Sequence, residues 1–360
     1  MQGENIVTGI KRNPSIDFIK GVCIIIVVLC HSISFELLPN FINQSFSAIF
    51  LRCFFCVSGF LFYNKSIDGL KNTIKYKFIS LLVSYICFSI VTILWHVVLV
   101  FGLGCDKISD TYFGISVIYR DVFCFISGIG IGTLWFLPVL FTVYLLTALY
   151  IKYIHNNLKP LYSALLFIFL FFVINIFSNY IQGFSEKIEL YGGVYSILGK
   201  YLFMTHRILY GLAYSLLGYF IGKLKNNYKH YIYIGIGAFI IALLSYVLNI
   251  YHLFNAFTCI YFFIFSLKIF DNSKPEKSKK ILTPVIFCGK HSLLIMIYHY
   301  IILLPLEMMI LEKISIYSKL ENDLQCWLLF VINLLTTIIL VIVSNKLKII
   351  RFFMGKSLKN

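Results

Sequence analysis

The chain has 360 residues, of which 60% are hydrophobic and only 13% are Asp, Glu, Lys or Arg, and its formal net charge is +16. A soluble domain carries about 25% charged residues, so half that value excludes an ordinary globular protein and points to the bilayer as solvent. In a soluble protein such a charge would suggest nucleic acid; here lysines and arginines clustered between apolar runs explain it, and no nucleic-acid partner is expected.

Apolar runs near 20 residues span a bilayer. They predict an all-α membrane bundle of about ten helices, over 18–37, 46–63, 78–103, 134–153, 162–180, 206–222, 231–249, 251–268, 286–311 and 326–346. The first lies in "SIDFIKGVCIIIVVLCHSISF", residues 15–35, with Asp17 and Lys20 at its start and His31 well inside. It shows no signal-peptide cleavage site and reads as a retained helix. Ionisable groups in hydrocarbon cost roughly 2.5–3.5 kcal/mol on insertion scales, so they default to a functional hypothesis. Lys20 and His31 are eleven residues apart. At about 100° per residue they leave one face, about 16 Å apart along the axis, with Lys20 near the inner interface and His31 near mid-bilayer. Asp17 is spaced to pair with Lys20. The plain alternative is an anchoring lysine and a hydrogen-bonded histidine.

The second run holds Arg52, Cys53-x-x-Cys56 and Ser58-Gly59. The cysteine pair has no second pair to complete a zinc site, and no metal is expected. Cys23, Cys30, Cys87, Cys259, Cys288 and Cys326 also lie in apolar runs, where Cys serves as a small hydrophobe. Ser58-Gly59 lacks the glycines of a nucleophile elbow and reads as close helix packing. Arg52 must face a polar cavity or Glu36. Segment 104–133, running into "SGIGIGTLWF" at 127–136, lacks the strand–turn–helix setting of a phosphate loop and is expected to be flexible or re-entrant. Cys105 and Cys124 within it could pair in an oxidising compartment. Trp135 reads as an interfacial belt residue. Tyr298 and His299 either line a cavity or cap an outer helix end.

The connections alternate in charge. Roughly 23 of the 31 basic residues fall on one side, including Lys71, Lys75, Lys77 and the run from Lys274 to Lys280. Asp106, Asp110, Asp121, Glu186, Glu189, Glu312, Glu321 and Asp323 fall on the other. The basic side is expected to be cytoplasmic, with both termini there. No internal repeat is visible. The chain reads as one domain, 1–360, with a polar segment 1–16 and a basic tail 347–360.

Arg12-x4-Asp17-x2-Lys20-Gly21 followed by His31 resembles the start of acyltransferase family 3, the multi-pass membrane acyltransferases that decorate bacterial surface polysaccharides. "FFCVSGF", Phe54 to Phe60, resembles that family's Phe-Phe-x-x-Ser-Gly-Phe signature, and "TLWFLPVLF" at 133–141 its Trp-Phe-Leu helix start. "YGLAYSLLGYFIG", 210–222, and "GKHSLLIMIYHY", 289–300, resemble its sixth and ninth spans. One departure is at the third span, where the family's Arg-x-x-Arg and proline align with Lys77, Ser80 and Ser84.

The resemblance implies an O-acyltransferase, here read as an O-acetyltransferase, in the bacterial cytoplasmic (inner) membrane. Acetyl-coenzyme A would be the donor from the cytoplasm. The acceptor would be a surface glycan (O-antigen, capsule or exopolysaccharide) or its lipid-linked oligosaccharide precursor. With no SGNH-type hydrolase domain after the last span, the chain resembles the stand-alone members. His31 would be the base or acyl carrier. Lys20, Lys75 and Lys77 would seat the donor phosphates, although Lys75 matches no family position and lysine lacks the bidentate fork of arginine. Two rivals stay open: a non-enzymatic transporter or flippase using the same buried charges, and an acyltransferase acting on a peptide or antibiotic.

Overall fold

A computed structural model describes residues 13–33, 37–63, 67–102, 115–189, 193–227, 230–271, 280–314 and 320–347, with Tyr317, Ile350 and Phe353. Among the described residues every regular element is helical. Helix α1 spans Pro14–Ser32 and α2 spans Asn40–Phe60. Helix α3 (Ile67–Phe78) continues through a π-helical turn at Ile79–Val83 into α4 (Ser84–Val97). Then follow α5 (Ile115–Ile126), α6 (Phe136–Tyr153), α7 (Pro160–Glu189), α8 (Gly193–Asn227), α9 (Ile232–Val247) and α10 (Tyr251–Asp271). Helices α11 (Thr283–Lys290), α12 (Ser292–Ile297), α13 (Leu304–Glu312) and α14 (Asn322–Ser344) complete the order.

Each apolar run expected from the sequence contains a helix, but among the described residues fewer than ten qualify as spans. Among the described residues seven helices are long and apolar enough to cross a membrane, or eight if α11 and the stretch Ser292–Glu307, bent by 75° from each other, form one broken span. The run 206–222 lies inside the 35-residue α8, where Tyr and Gly dilute the hydropathy. The run 231–249 is the 16-residue α9, short for a span.

The first helix also starts and stops earlier than expected. Asn13 caps it, its side chain accepting from the Ser15 N–H at 3.0 Å, and Pro14 opens the first turn without a donor to waste. At the other end Ser32 donates to the Val28 carbonyl at 3.0 Å, and Ile33 is extended. That back-bonding competes with the helix ladder. His31 therefore occupies the last turn of α1 rather than its interior.

Helix α1 packs on α2, α10, α11 and α14, and α2 packs on α8 and α10, so these helices form the centre of the bundle. The outer helices present apolar stripes at helical spacing, as on α7 with Leu161, Leu165, Phe169, Phe172 and Ile176 exposed. Such surface suits lipid. Inside, helices meet through small residues. The Gly59 Cα faces the Ser215 carbonyl so closely that a Cβ would lie 1.6 Å from its oxygen. Beside it Ser58 Oγ lies 2.6 Å from the Phe55 carbonyl and 3.1 Å from Ser215 Oγ, and Thr147 Oγ1 donates to Ser215 Oγ at 2.9 Å. This ties α2, α6 and α8 together by hydroxyls where hydrocarbon offers no alternative partner.

Candidate functional site

His31 is exposed, and what it faces is a cavity of about 200 Å³ bounded by Val27, Phe54, Trp135, Phe136 and Met296. Its ring lies 4.4 Å from that of Tyr300 and 5.3 Å from that of His299, centroid to centroid. Both partners come from a π-helical turn, Tyr298–Leu303, between α12 and α13. One extra residue per turn shifts the phase of the chain there, a device common at functional sites. Pro305 follows and has no N–H to return to the Ile301 carbonyl, so the normal ladder is broken at that point. Tyr298 and His299 are both buried where this turn follows α12. Nδ1 of His299 meets the Ile295 carbonyl at 2.7 Å, and its own backbone carbonyl accepts from Asn333 Nδ2 at 2.9 Å.

The glycine-rich segment closes the cavity from the other side. It is an ordered turn in the described residues rather than a flexible loop. Gly128, Gly130 and Gly132 have φ of +73°, +89° and +49°, and the Gly130 N–H donates to the Cys124 carbonyl at 3.0 Å. A Cβ on Gly130 would lie 2.3 Å from the Trp135 Cα, so only glycine lets the chain double back here. Thr133 then donates to the Met296 carbonyl at 2.9 Å, locking the turn to α12. Trp135 is thereby a cavity wall, with the Arg207 guanidinium 3.7 Å from its ring centre. Arg207 escaped the sequence reading, although an arginine at the start of an apolar run was a visible signal.

A second cavity, of about 290 Å³, abuts the first. Lys20, Lys77, Lys290, Ser58, Ser80 and Tyr144 are among its lining residues. Lys20 Nζ lies 3.0 Å from Asp17 Oδ1, as the spacing predicts, and the carboxylate is buried. Lys77 Nζ sits 5.0 Å from the centre of the Tyr144 ring. Lys75 is exposed and lines neither cavity, whereas Lys290, at the C-terminus of α11, does. Phe54, Phe136 and Met296 line both cavities, so the partition between the lysines and His31 is apolar.

Other expected residues fall elsewhere. Arg52 donates from Nε to the Tyr214 hydroxyl at 3.1 Å and from a terminal nitrogen to the Ser47 carbonyl, with its guanidinium 4.9 Å from the Tyr210 ring centre. Tyrosines thus satisfy it; Glu36 lies outside the described residues, as do Arg12 and Cys105. Cys53 and Cys56 each bring Sγ to 3.5 Å from Cys259 Sγ, a partner in α10 that spacing alone does not reveal. Asp121, read as an external-loop acid, is buried in α5 against His96 Nδ1 of α4.

What the two cavities can do together is chemically specific. One offers cations to an anion, the other an imidazole to a proton or an acyl group, and an apolar neck divides them. A family model described as an acyltransferase domain matches residues 13–346, nearly the whole chain. No curated protein and no solved structure matches the chain.

Proposed function

The chain belongs to acyltransferase family 3, and from that premise we propose that this membrane acyltransferase moves an acetyl group from cytoplasmic acetyl-coenzyme A to a sugar hydroxyl. The acceptor is a cell-surface polysaccharide or its lipid-linked precursor, and the enzyme sits in the bacterial inner membrane as a multi-pass bundle with both termini cytoplasmic. The observation that carries this reading is the pairing of a lysine-lined cavity with a histidine-lined one across Phe54, Phe136 and Met296.

The donor's phosphates rest against Lys20, Lys77 and Lys290, and its slim thioester arm passes the apolar neck toward His31. As base, His31 takes the proton of the acceptor hydroxyl while that oxygen attacks the thioester carbonyl. The C–S bond breaks, and the proton passes on to the leaving thiolate. As carrier, a ring nitrogen would hold the acetyl group between the two half-reactions. In both versions the reacting ring nitrogen must present a free lone pair, to the hydroxyl proton in one and to the thioester carbonyl in the other. Membranes containing the protein, supplied with acetyl-coenzyme A labelled in the acetyl group, should transfer label into an alkali-labile ester on glycan. Label that stays in the donor or appears only as free acetate contradicts the proposal.

Two predictions attach to this reading. Replacing Lys20, Lys77 and Lys290 together with Ala should weaken acetyl-coenzyme A binding at least tenfold, and salt should reproduce part of the loss. Lys75→Ala should change it less than twofold. Equal donor affinity in the triple variant and the parent would refute the seat. For orientation, cysteines introduced at 269–283 into a cysteine-free background should resist an impermeant thiol reagent in intact cells, while those at 104–133 should react. The reverse pattern would invert the molecule.

A further inference from the structure

His299 is buried to 1% exposure, and its Nε2 has no hydrogen-bond partner among the described residues. The other nitrogen explains which way this matters. Nδ1 lies 2.7 Å from the Ile295 carbonyl, and a carbonyl only accepts, so Nδ1 carries the proton. A neutral imidazole has one N–H. Nε2 of His299 therefore presents a lone pair inside the bundle, and a buried acceptor without a donor is costly. His299 is also held in place: its carbonyl accepts from Asn333, whose side chain is itself fully buried.

The ring facing it is His31. With centroids 5.3 Å apart and planes tilted by 43°, a small rotation of the His31 ring, or one bridging water, closes a hydrogen bond between them. Tyr300, its ring 4.4 Å from that of His31 and 6.2 Å from that of His299 and tilted to both, packs against the pair and limits how far His31 can swing. Resting on the reading of His31 as the reacting group, we propose that His299 is a positioning residue: its Nε2 accepts the N–H of His31 and holds the tautomer whose other nitrogen points into the cavity.

A histidine whose tautomer is fixed by a hydrogen-bond acceptor is the arrangement that hydrolytic triads build with a carboxylate. Here the acceptor is neutral. It leaves no uncompensated buried charge while His31 is neutral, and it stabilises His31 when the proton arrives. Asn333 extends the arrangement by one residue, since its amide anchors the backbone of His299 to α14.

The test is a pair of substitutions in the full-length protein, reading kcat and the KM for acetyl-coenzyme A and glycan separately. His299→Phe keeps a flat ring against Tyr300 and removes the acceptor; kcat should fall about a hundredfold with both KM values within about twofold of the parent. His299→Gln keeps an acceptor oxygen near the position of Nε2 but cannot carry a proton, and should recover kcat to within about tenfold of the parent. His299→Phe active to within about threefold overturns the proposal. So does a folded His299→Gln as inactive as His31→Ala, which would make His299 a proton carrier. If His299→Phe does not accumulate, His299→Gln decides alone on the same tenfold criterion. The two readings fail separately: an active His31→Ala removes the role of His31, whereas an inactive His31→Ala beside a fully active His299→Phe removes only that of His299.

Discussion

Replacing His31 with Ala lowers acyl transfer by about 10²–10⁴-fold, the contribution typical of a positioned general base, while the protein still inserts and folds. Folding should survive because the ring is exposed to a cavity and is not part of the packed core. The acceptor it would leave behind, His299 Nε2, borders a cavity that gains the room of the lost ring, where a water can donate in its place. His31→Gln separates chemistry from architecture. Glutamine can hydrogen-bond across the cavity but can neither shuttle a proton nor carry an acyl group. Transfer rates at matched protein level decide it: Gln and Ala should be equally inactive, and a Gln variant near the parent's rate would return His31 to a structural role.

The second large effect is on stability. Gly59→Ala places a methyl 1.6 Å from the Ser215 carbonyl oxygen and 2.5 Å from its carbon, backbone against backbone. No rotamer can relieve that contact, so α2 and α8 must separate. Overpacking typically costs about 1–3 kcal/mol, and a clash with backbone belongs at the upper end or beyond. Separation would also stretch the hydroxyl chain Ser58–Ser215–Thr147. Thermal unfolding in detergent should show a Tm lower by several degrees, or the variant should fail to accumulate. Gly183→Ala is the control, because a Cβ there meets nothing within 4 Å, and alanine is the better helix former. Identical melting of the two variants would show that the α2–α8 crossing is looser than described.

Local geometry was legible in the sequence wherever one helix contained the whole relation. The Asp17–Lys20 pair, three residues apart, is realised at 3.0 Å. The small pair Ser58-Gly59 does pack against another helix, as its residue types suggested. The run lengths gave helices throughout. Relations between distant segments were not legible. His299 and Tyr300 reach His31 only because a π-helical turn rotates them out of the ordinary helical phase, and no periodicity argument anticipates such a turn. Lys290 belongs to a quoted motif, yet only the crossing of α1 and α11 shows that it shares a cavity with Lys20. The glycines at 128, 130 and 132 looked like a sign of mobility, since glycine suits both a flexible loop and a strained turn; their positive φ values and the close approach to Trp135 decide for the turn. The end of α1 was misplaced because Ser32 and Ile33 break the helix through backbone competition that an apolar run conceals.

The most direct measurement compares surface glycans from cells lacking the protein and from cells expressing the parent or His31→Gln at equal level, by mass before and after mild alkali. Glycan from cells with the parent should carry additional acetyl mass that alkali removes, and glycan from the other two should not. Ester present to the same extent with His31→Gln, or absent with the parent, would contradict His31 as the centre of acyl transfer to a surface sugar.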